Sequence, residues 1–97
     1  MSQPDPFADL KSRFVVRGAE DLASLRAHLA GARLDPTALR FTVHRLSGAA
    51  GVFGYAEISD AAGLAEDDIL EHPDSSDASL RALVEALGKL VESGRKD

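Results

Sequence analysis

The 97-residue sequence contains no cysteine. This absence excludes disulfide bonds, thiolate metal ligands and a catalytic thiol, so nothing requires an oxidising compartment. The chain has no apolar stretch long enough to span a membrane, and its first residues lack the basic and apolar segments of a signal peptide. We therefore expect a soluble, cytoplasmic protein.

Basic and aromatic residues are also scarce. Eleven Lys and Arg face sixteen Asp and Glu, for a net charge of −5, which argues against binding nucleic acid or an anionic membrane through bulk electrostatics. Aromatic residues make up 5% of the chain, so the core must consist of Leu, Ala, Val and Ile, a composition that favours helices. The length suits one domain, residues 1–97.

Apolar residues recur at helical spacing along almost the whole chain, and no segment shows the alternation typical of a strand. Asp5-Pro6 and Asp35-Pro36 each combine an N-cap residue with proline at the first helical position. Gly18 predicts the end of a short first helix, and Gly54 the end of the third. The fourth helix is predicted at residues 56–71, and Pro73 opens a loop before the last one.

Four of the predicted helices are long and amphipathic. Their apolar stripes are Leu22, Leu25, Leu29 and Ala32; Leu39, Val43, Leu46, Ala50 and Phe53; Ile58, Ala62, Ala65 and Ile69; and Leu80, Leu83, Val84, Leu87, Leu90 and Val91. Helices with short connections bury such stripes only against one another. We therefore predict an all-α fold, an antiparallel up-down four-helix bundle with the short N-terminal helix as a lid.

His44 stands out on the third helix. It points roughly 140° away from the start of the core stripe and therefore faces solvent. Ser47, Gly48 and Gly51 follow three, four and seven residues later on the same side. Since glycine inside a helix costs about 0.5–1 kcal/mol relative to alanine, the two glycines need an explanation. Either they clear the approach of another protein to His44, or they let a neighbouring helix pack closely.

The run from His44 to Gly54, HRLSGAAGVFG, resembles the signature of histidine-containing phosphotransfer (HPt) domains, roughly H-x-L-K-G-[SA]-[AS]-x-x-x-G. The resemblance implies a helical bundle in which His44 takes a phosphoryl group from a sensor histidine kinase or a response-regulator receiver domain. The histidine then passes the group to a receiver aspartate. Such a chain is a phosphocarrier rather than an enzyme with its own ATP site, and the Mg²⁺ would come from the receiver.

One position departs from the family pattern. The family usually has lysine three residues after the histidine, and this chain has Ser47, which donates a hydrogen bond but supplies no charge. Arg40 and Arg45 are the cations nearest to His44 in sequence, and Arg40 lies closer to it on the helix wheel. The alternative is an HPt-like bundle that docks a kinase or receiver without accepting phosphate.

The resemblance also implies a partner for the imidazole on the following helix. Glu66 stands at the position where the family places a polar residue that orients the ring. Its carboxylate would fix the tautomer by accepting a hydrogen bond from the N–H of one ring nitrogen. The alternative is that Glu66 is a solvated charge beside Asp67 and Asp68.

Phe41 lies about 60° round the wheel from His44. It is a candidate anchor for a docking receiver, although we favour the simpler reading that Phe7 or Phe14 covers it. The predicted partner-binding residues are Arg40, Phe41, Arg45, Ser47, Gly48 and Gly51.

Asp68 and His72 have the spacing of a two-ligand metal clip, but the sequence offers no third ligand, so we expect no metal site.

Overall fold

In the computed structural model, the described residues 5–95 form four α-helices and no strand. The helices are α1 (Pro6–Leu29), α2 (Pro36–Val52), α3 (Ala56–Glu71) and α4 (Asp77–Arg95), with a 3₁₀ turn at Pro73–Ser75. The arrangement confirms the predicted all-α four-helix bundle. Part of the N-terminal segment in which we expect no signal peptide, residues 1–4, lies outside the described residues.

The predicted starts of α1 and α2 are confirmed by their caps. The Asp5 carboxylate accepts a hydrogen bond from the Phe7 amide at 3.0 Å, and Asp35 caps α2 in the same way. At the other end of α2, Gly54 has φ +81°, which the turn into α3 requires. The Tyr55 amide then donates to the Ala50 carbonyl at 2.9 Å, so the backbone groups at this helix end are satisfied.

The prediction of a separate lid helix ending at Gly18 is wrong, because α1 continues through this residue to Leu29. Gly18 is buried, and a Cβ atom there would lie 3.3 Å from Leu87 Cδ1 on α4. The glycine therefore permits close helix packing and does not break the helix. The N-terminal half of α1 still covers the α2–α3 turn, since the rings of Phe7 and Phe14 lie 5.3 and 5.6 Å from that of Phe53.

The core is the predicted set of apolar stripes with minor differences. The fully enclosed side chains, with no exposed surface, are Leu25, Val43, Leu46, Ala50, Ala62, Ala65, Leu80, Leu83 and Leu87. Leu29, Phe53, Val84 and Leu90 are half-buried at the edge of the core, and Ala32 is exposed beyond the end of α1. Among the residues that the structure describes, no helix is both long and apolar enough to cross a membrane.

At the end of the bundle where α1 stops, the buried His28 contacts the segment that leads into α2. The Leu34 amide donates to His28 Nδ1 at 3.0 Å, and Arg33 Nη1 lies 3.0 Å from Nε2. Arg33 also donates two hydrogen bonds of 3.0 Å to the Asp77 carboxylate at the start of α4. Burial and the Arg33 guanidinium lower the pKa of His28 from its ordinary value of 6.5, which Asp77 opposes.

Acidification from about pH 7.5 to about pH 5 is expected to destabilise the fold through His28. At pH 7.5, one unit above the ordinary pKa of 6.5, the ring is mostly neutral in the folded and the unfolded chain, so the pH has little effect on stability through His28. Below that pH the unfolded chain binds a proton more readily, because the folded pKa is lower, and stability falls. Urea unfolding at each pH should show a weaker pH dependence for His28→Gln than for the wild type. Equal slopes would contradict this role.

Candidate functional site

His44 lies in the middle of α2 with 72% of its side chain exposed. The exposure follows from the helical period, because the buried neighbours Val43 and Leu46 turn the opposite side of α2 to the core. No backbone rearrangement is needed to bring the imidazole to another protein.

Glu66 on α3 reaches the imidazole. Its Oε2 atom lies 2.8 Å from His44 Nδ1, and its side chain is only 19% exposed. A carboxylate accepts hydrogen bonds and cannot donate them, so Nδ1 carries the proton in this contact. In the neutral ring Nε2 then keeps its lone pair. The structure therefore brings together the two residues that the sequence places in one site, and the Nε2 lone pair is not used in their contact.

A shallow cavity of about 240 Å³ opens beside this pair. Its lining residues are Thr37, Arg40, Phe41, His44 and Glu66. Arg40 is exposed and is the cation that lines the same cavity as His44. The cavity thus combines an imidazole, a carboxylate, a guanidinium and an aromatic ring.

The expectation that Phe41 is covered by the first helix is wrong, because Phe41 is 66% exposed. Phe7 and Phe14 pack instead on Phe53 at the α2–α3 turn, further along α2. A large aromatic side chain exposed next to a reactive group is typical of a contact surface for another protein.

Ser47 does not lie freely beside the imidazole. Its hydroxyl donates to the Ser59 carbonyl on α3 at 3.1 Å, and the Ser59 hydroxyl donates to the Ser47 carbonyl at 2.9 Å. The single hydroxyl proton of Ser47 is thus used between the helices. The structure therefore places Ser47 in the contact between α2 and α3, although the sequence predicts it in the phosphoryl neighbourhood.

Arg45 likewise turns away from the site. Its Nη2 atom donates to Asp21 Oδ1 on α1 at 2.7 Å, and Asp21 is 5% exposed. The ion pair is the main polar link between α1 and α2, which otherwise have few contacts. Sequence reasoning missed Asp21, although an acidic residue within an otherwise apolar stripe next to Leu22 is a signal that could have found it.

The two glycines that follow His44, Gly48 and Gly51, have different neighbours. A Cβ atom at Gly48 would have no neighbour within 4 Å, so this position is open on the side of His44. A Cβ atom at Gly51 would lie 3.4 Å from Ser59 Oγ, an ordinary contact with α3. Gly48 therefore fits a cleared approach, whereas Gly51 fits close packing of a neighbouring helix.

Asp68 and His72 do not form part of a larger ligand cluster. Asp68 accepts a hydrogen bond from the Ser79 hydroxyl, and His72 is exposed at the end of α3. Within residues 5–95 no three His, Cys, Asp or Glu side chains come together as a metal site would need.

A comparison with known protein families identifies the family of this chain. The model of the Hpt domain matches residues 9–93, nearly the whole chain. No curated protein and no solved structure matches it. The chain therefore belongs to the Hpt domain family, which is associated with histidine phosphotransfer in two-component signalling.

Proposed function

We propose that the chain is a phosphocarrier that relays a phosphoryl group through His44 between a sensor histidine kinase and response-regulator receiver domains. The observation that carries the proposal is the 2.8 Å contact between His44 Nδ1 and Glu66. It holds an exposed imidazole in the tautomer whose free nitrogen points to solvent. We propose no kinase activity for the chain itself, because the phosphoryl donor is another protein.

The transfer step follows from this tautomer. The Nε2 lone pair of His44 attacks the phosphorus of the receiver's aspartyl phosphate, so that an N–P bond forms while the P–O bond to the aspartate breaks. The aspartate leaves as a carboxylate, and the reverse step loads the next receiver. Nδ1 keeps its proton, and Glu66 accepts a hydrogen bond from it and stabilises the positive charge that develops on the ring. We propose that Mg²⁺ belongs to the receiver and that this chain supplies no cofactor.

Arg40 and Phe41 are the proposed contacts to the partner. Arg40 places positive charge beside the nucleophile, where the phosphoryl oxygens would lie, and partly replaces the lysine that the family has at the position of Ser47. Phe41 offers apolar area next to His44, and Gly48 leaves room for the partner's backbone. Because Arg45 is paired with Asp21, it has no proposed role in this contact.

A second candidate is a module that docks a kinase or receiver without accepting phosphate. The observation in its favour is Ser47, which supplies no charge and whose hydroxyl proton is bound to Ser59. The two candidates share the docking surface and differ only in the covalent step, so a labelling experiment separates them.

Incubation with a phosphorylated receiver domain and Mg²⁺ is expected to give acid-labile, base-stable label on the chain. His44→Gln should give none, because glutamine has no nucleophilic ring nitrogen. Phosphorus NMR should assign the wild-type label to Nε2. Binding without label across a range of receivers would favour the docking module, and equal labelling of His44→Gln would refute the assigned acceptor.

Removing the Arg40 charge should slow transfer by about two- to fivefold, since an exposed cation contributes less than about 1 kcal/mol. The measurement is the rate of label transfer from a receiver to Arg40→Gln. Arg13→Gln is the matched control, because it removes an exposed arginine from α1 that pairs with Asp9. If both variants transfer at the same rate, Arg40 has no specific role.

Gly48→Leu tests the open face beside His44. The substitution should raise the free energy of unfolding by about 0.5–1 kcal/mol through helix propensity. It should nevertheless slow transfer, because the new side chain stands in the approach to the imidazole. Ala23→Leu, on the exposed surface of α1, controls for added bulk. An unchanged transfer rate in folded Gly48→Leu would show that this face is not approached.

A further inference from the structure

Ser47 and Ser59 form the only exchange of side-chain-to-backbone hydrogen bonds between two helices within residues 5–95. Each hydroxyl donates to the carbonyl of the other residue, at 3.1 and 2.9 Å. Such bonds need both backbones within the reach of one short side chain. They therefore fix how far α2 lies from α3 and how each helix is rotated about its own axis.

Each serine faces a glycine on the opposite helix. A Cβ atom at Gly63 would lie 3.7 Å from Ser47 Oγ, and one at Gly51 would lie 3.4 Å from Ser59 Oγ. Both distances are ordinary van der Waals contacts, so the glycines line the contact without crowding the hydroxyls. We call the contact formed by Ser47, Gly51, Ser59 and Gly63 the serine–glycine contact.

The serine–glycine contact lies one helical turn from the reactive pair. Ser47 follows His44 by three residues on α2, and Gly63 precedes Glu66 by three residues on α3. Three residues of helix span about 4.5 Å and behave as a rigid unit. A relative shift of about 1 Å along the line between His44 Nδ1 and Glu66 Oε2 would lengthen their distance from 2.8 Å beyond hydrogen-bond range.

We propose that Ser47 and Ser59 are positioning residues, which hold α2 and α3 in the register where Glu66 fixes the His44 tautomer. The proposal rests on the proposed phosphocarrier function and deepens it. It also gives position 47 a purpose of its own. Instead of contacting the phosphoryl group as a lysine would, the side chain here secures the partner of the imidazole.

The apolar core does not replace this role. Val43 and Leu46 on α2 and Ala62 and Ala65 on α3 are fully buried and keep the helices together. Burial of apolar area is non-directional, so it tolerates small sliding and rotation of the helices. Hydrogen bonds between the helices do not, because they weaken steeply with distance and angle. We therefore expect loss of the hydroxyls to leave the bundle folded but to loosen the reactive pair.

The test is the His44 tautomer, read from the ring ¹⁵N chemical shifts of Ser47→Ala, Ser59→Ala and the double variant. In the wild type we expect the Nδ1–H form to dominate. In the variants the population should shift towards the Nε2–H form, and transfer from a phosphorylated receiver should slow by about two- to tenfold, the range for one lost hydrogen bond. Circular dichroism confirms that each variant is folded, and either single variant suffices if the other unfolds.

Thr42→Val is the matched control. It removes a hydroxyl from the same helix, but one that donates to the Ala38 carbonyl of α2 itself at 3.0 Å. The tautomer should stay as in the wild type. An unchanged tautomer in folded serine variants would overturn the positioning role whatever the transfer rates, and so would an equal shift in Thr42→Val. If the serine variants shift the tautomer but the wild type never accepts label, the positioning role is supported and the phosphocarrier function is refuted.

Discussion

The hydrogen bond between His44 and Glu66 joins two helices, and the chemistry of the site depends on it. An imidazole that is 72% exposed has no packing to fix its orientation, so one contact at Nδ1 decides which nitrogen is free. That contact exists only while α2 and α3 keep their separation and rotation. The apolar stripes bring the helices together, and the serine–glycine contact specifies their register.

The two arginines near His44 in sequence have different surroundings. Arg45 is adjacent to His44 in sequence but is bound to the buried Asp21, so its charge stabilises the contact of α1 with α2. Arg40 remains exposed in the cavity next to the imidazole. The same helix thus binds one arginine to a neighbouring helix and leaves another exposed beside His44. Only the neighbouring helices determine which arginine has which task.

The sequence was sufficient for features that depend on a single helix. Helical periodicity predicts the core stripes, and the Asp-Pro pairs predict two helix starts. The helical wheel predicts that His44 is exposed. The pairing of Glu66 came from a family pattern of spacing. Features that depend on what a neighbouring helix presents were not accessible. Gly18 is an example. A local pattern predicts a helix end there, because its packing partner Leu87 on α4 lies almost seventy residues away in the chain.

The surroundings of Ser47, Arg45 and Phe41 were not accessible from the sequence for the same reason. A wheel shows the direction in which a side chain leaves its own helix, but it does not show whether a carbonyl, a carboxylate or solvent lies there. Ser47 meets the Ser59 carbonyl, Arg45 meets Asp21, and Phe41 meets solvent. These outcomes follow from how the helices pack, and packing is set by the whole sequence at once.

The turn between α2 and α3 has a consequence for how the site forms. Only residues 53–55 separate the two helices, and His44 and Glu66 are 22 positions apart. The entropy lost in closing a short segment is small, so the reactive pair is assembled by contacts that are local in the chain. The hairpin of α2 and α3 carries His44, Glu66 and the serine–glycine contact together. The surfaces of α1 and α4 can therefore accumulate substitutions without displacing the reactive atoms.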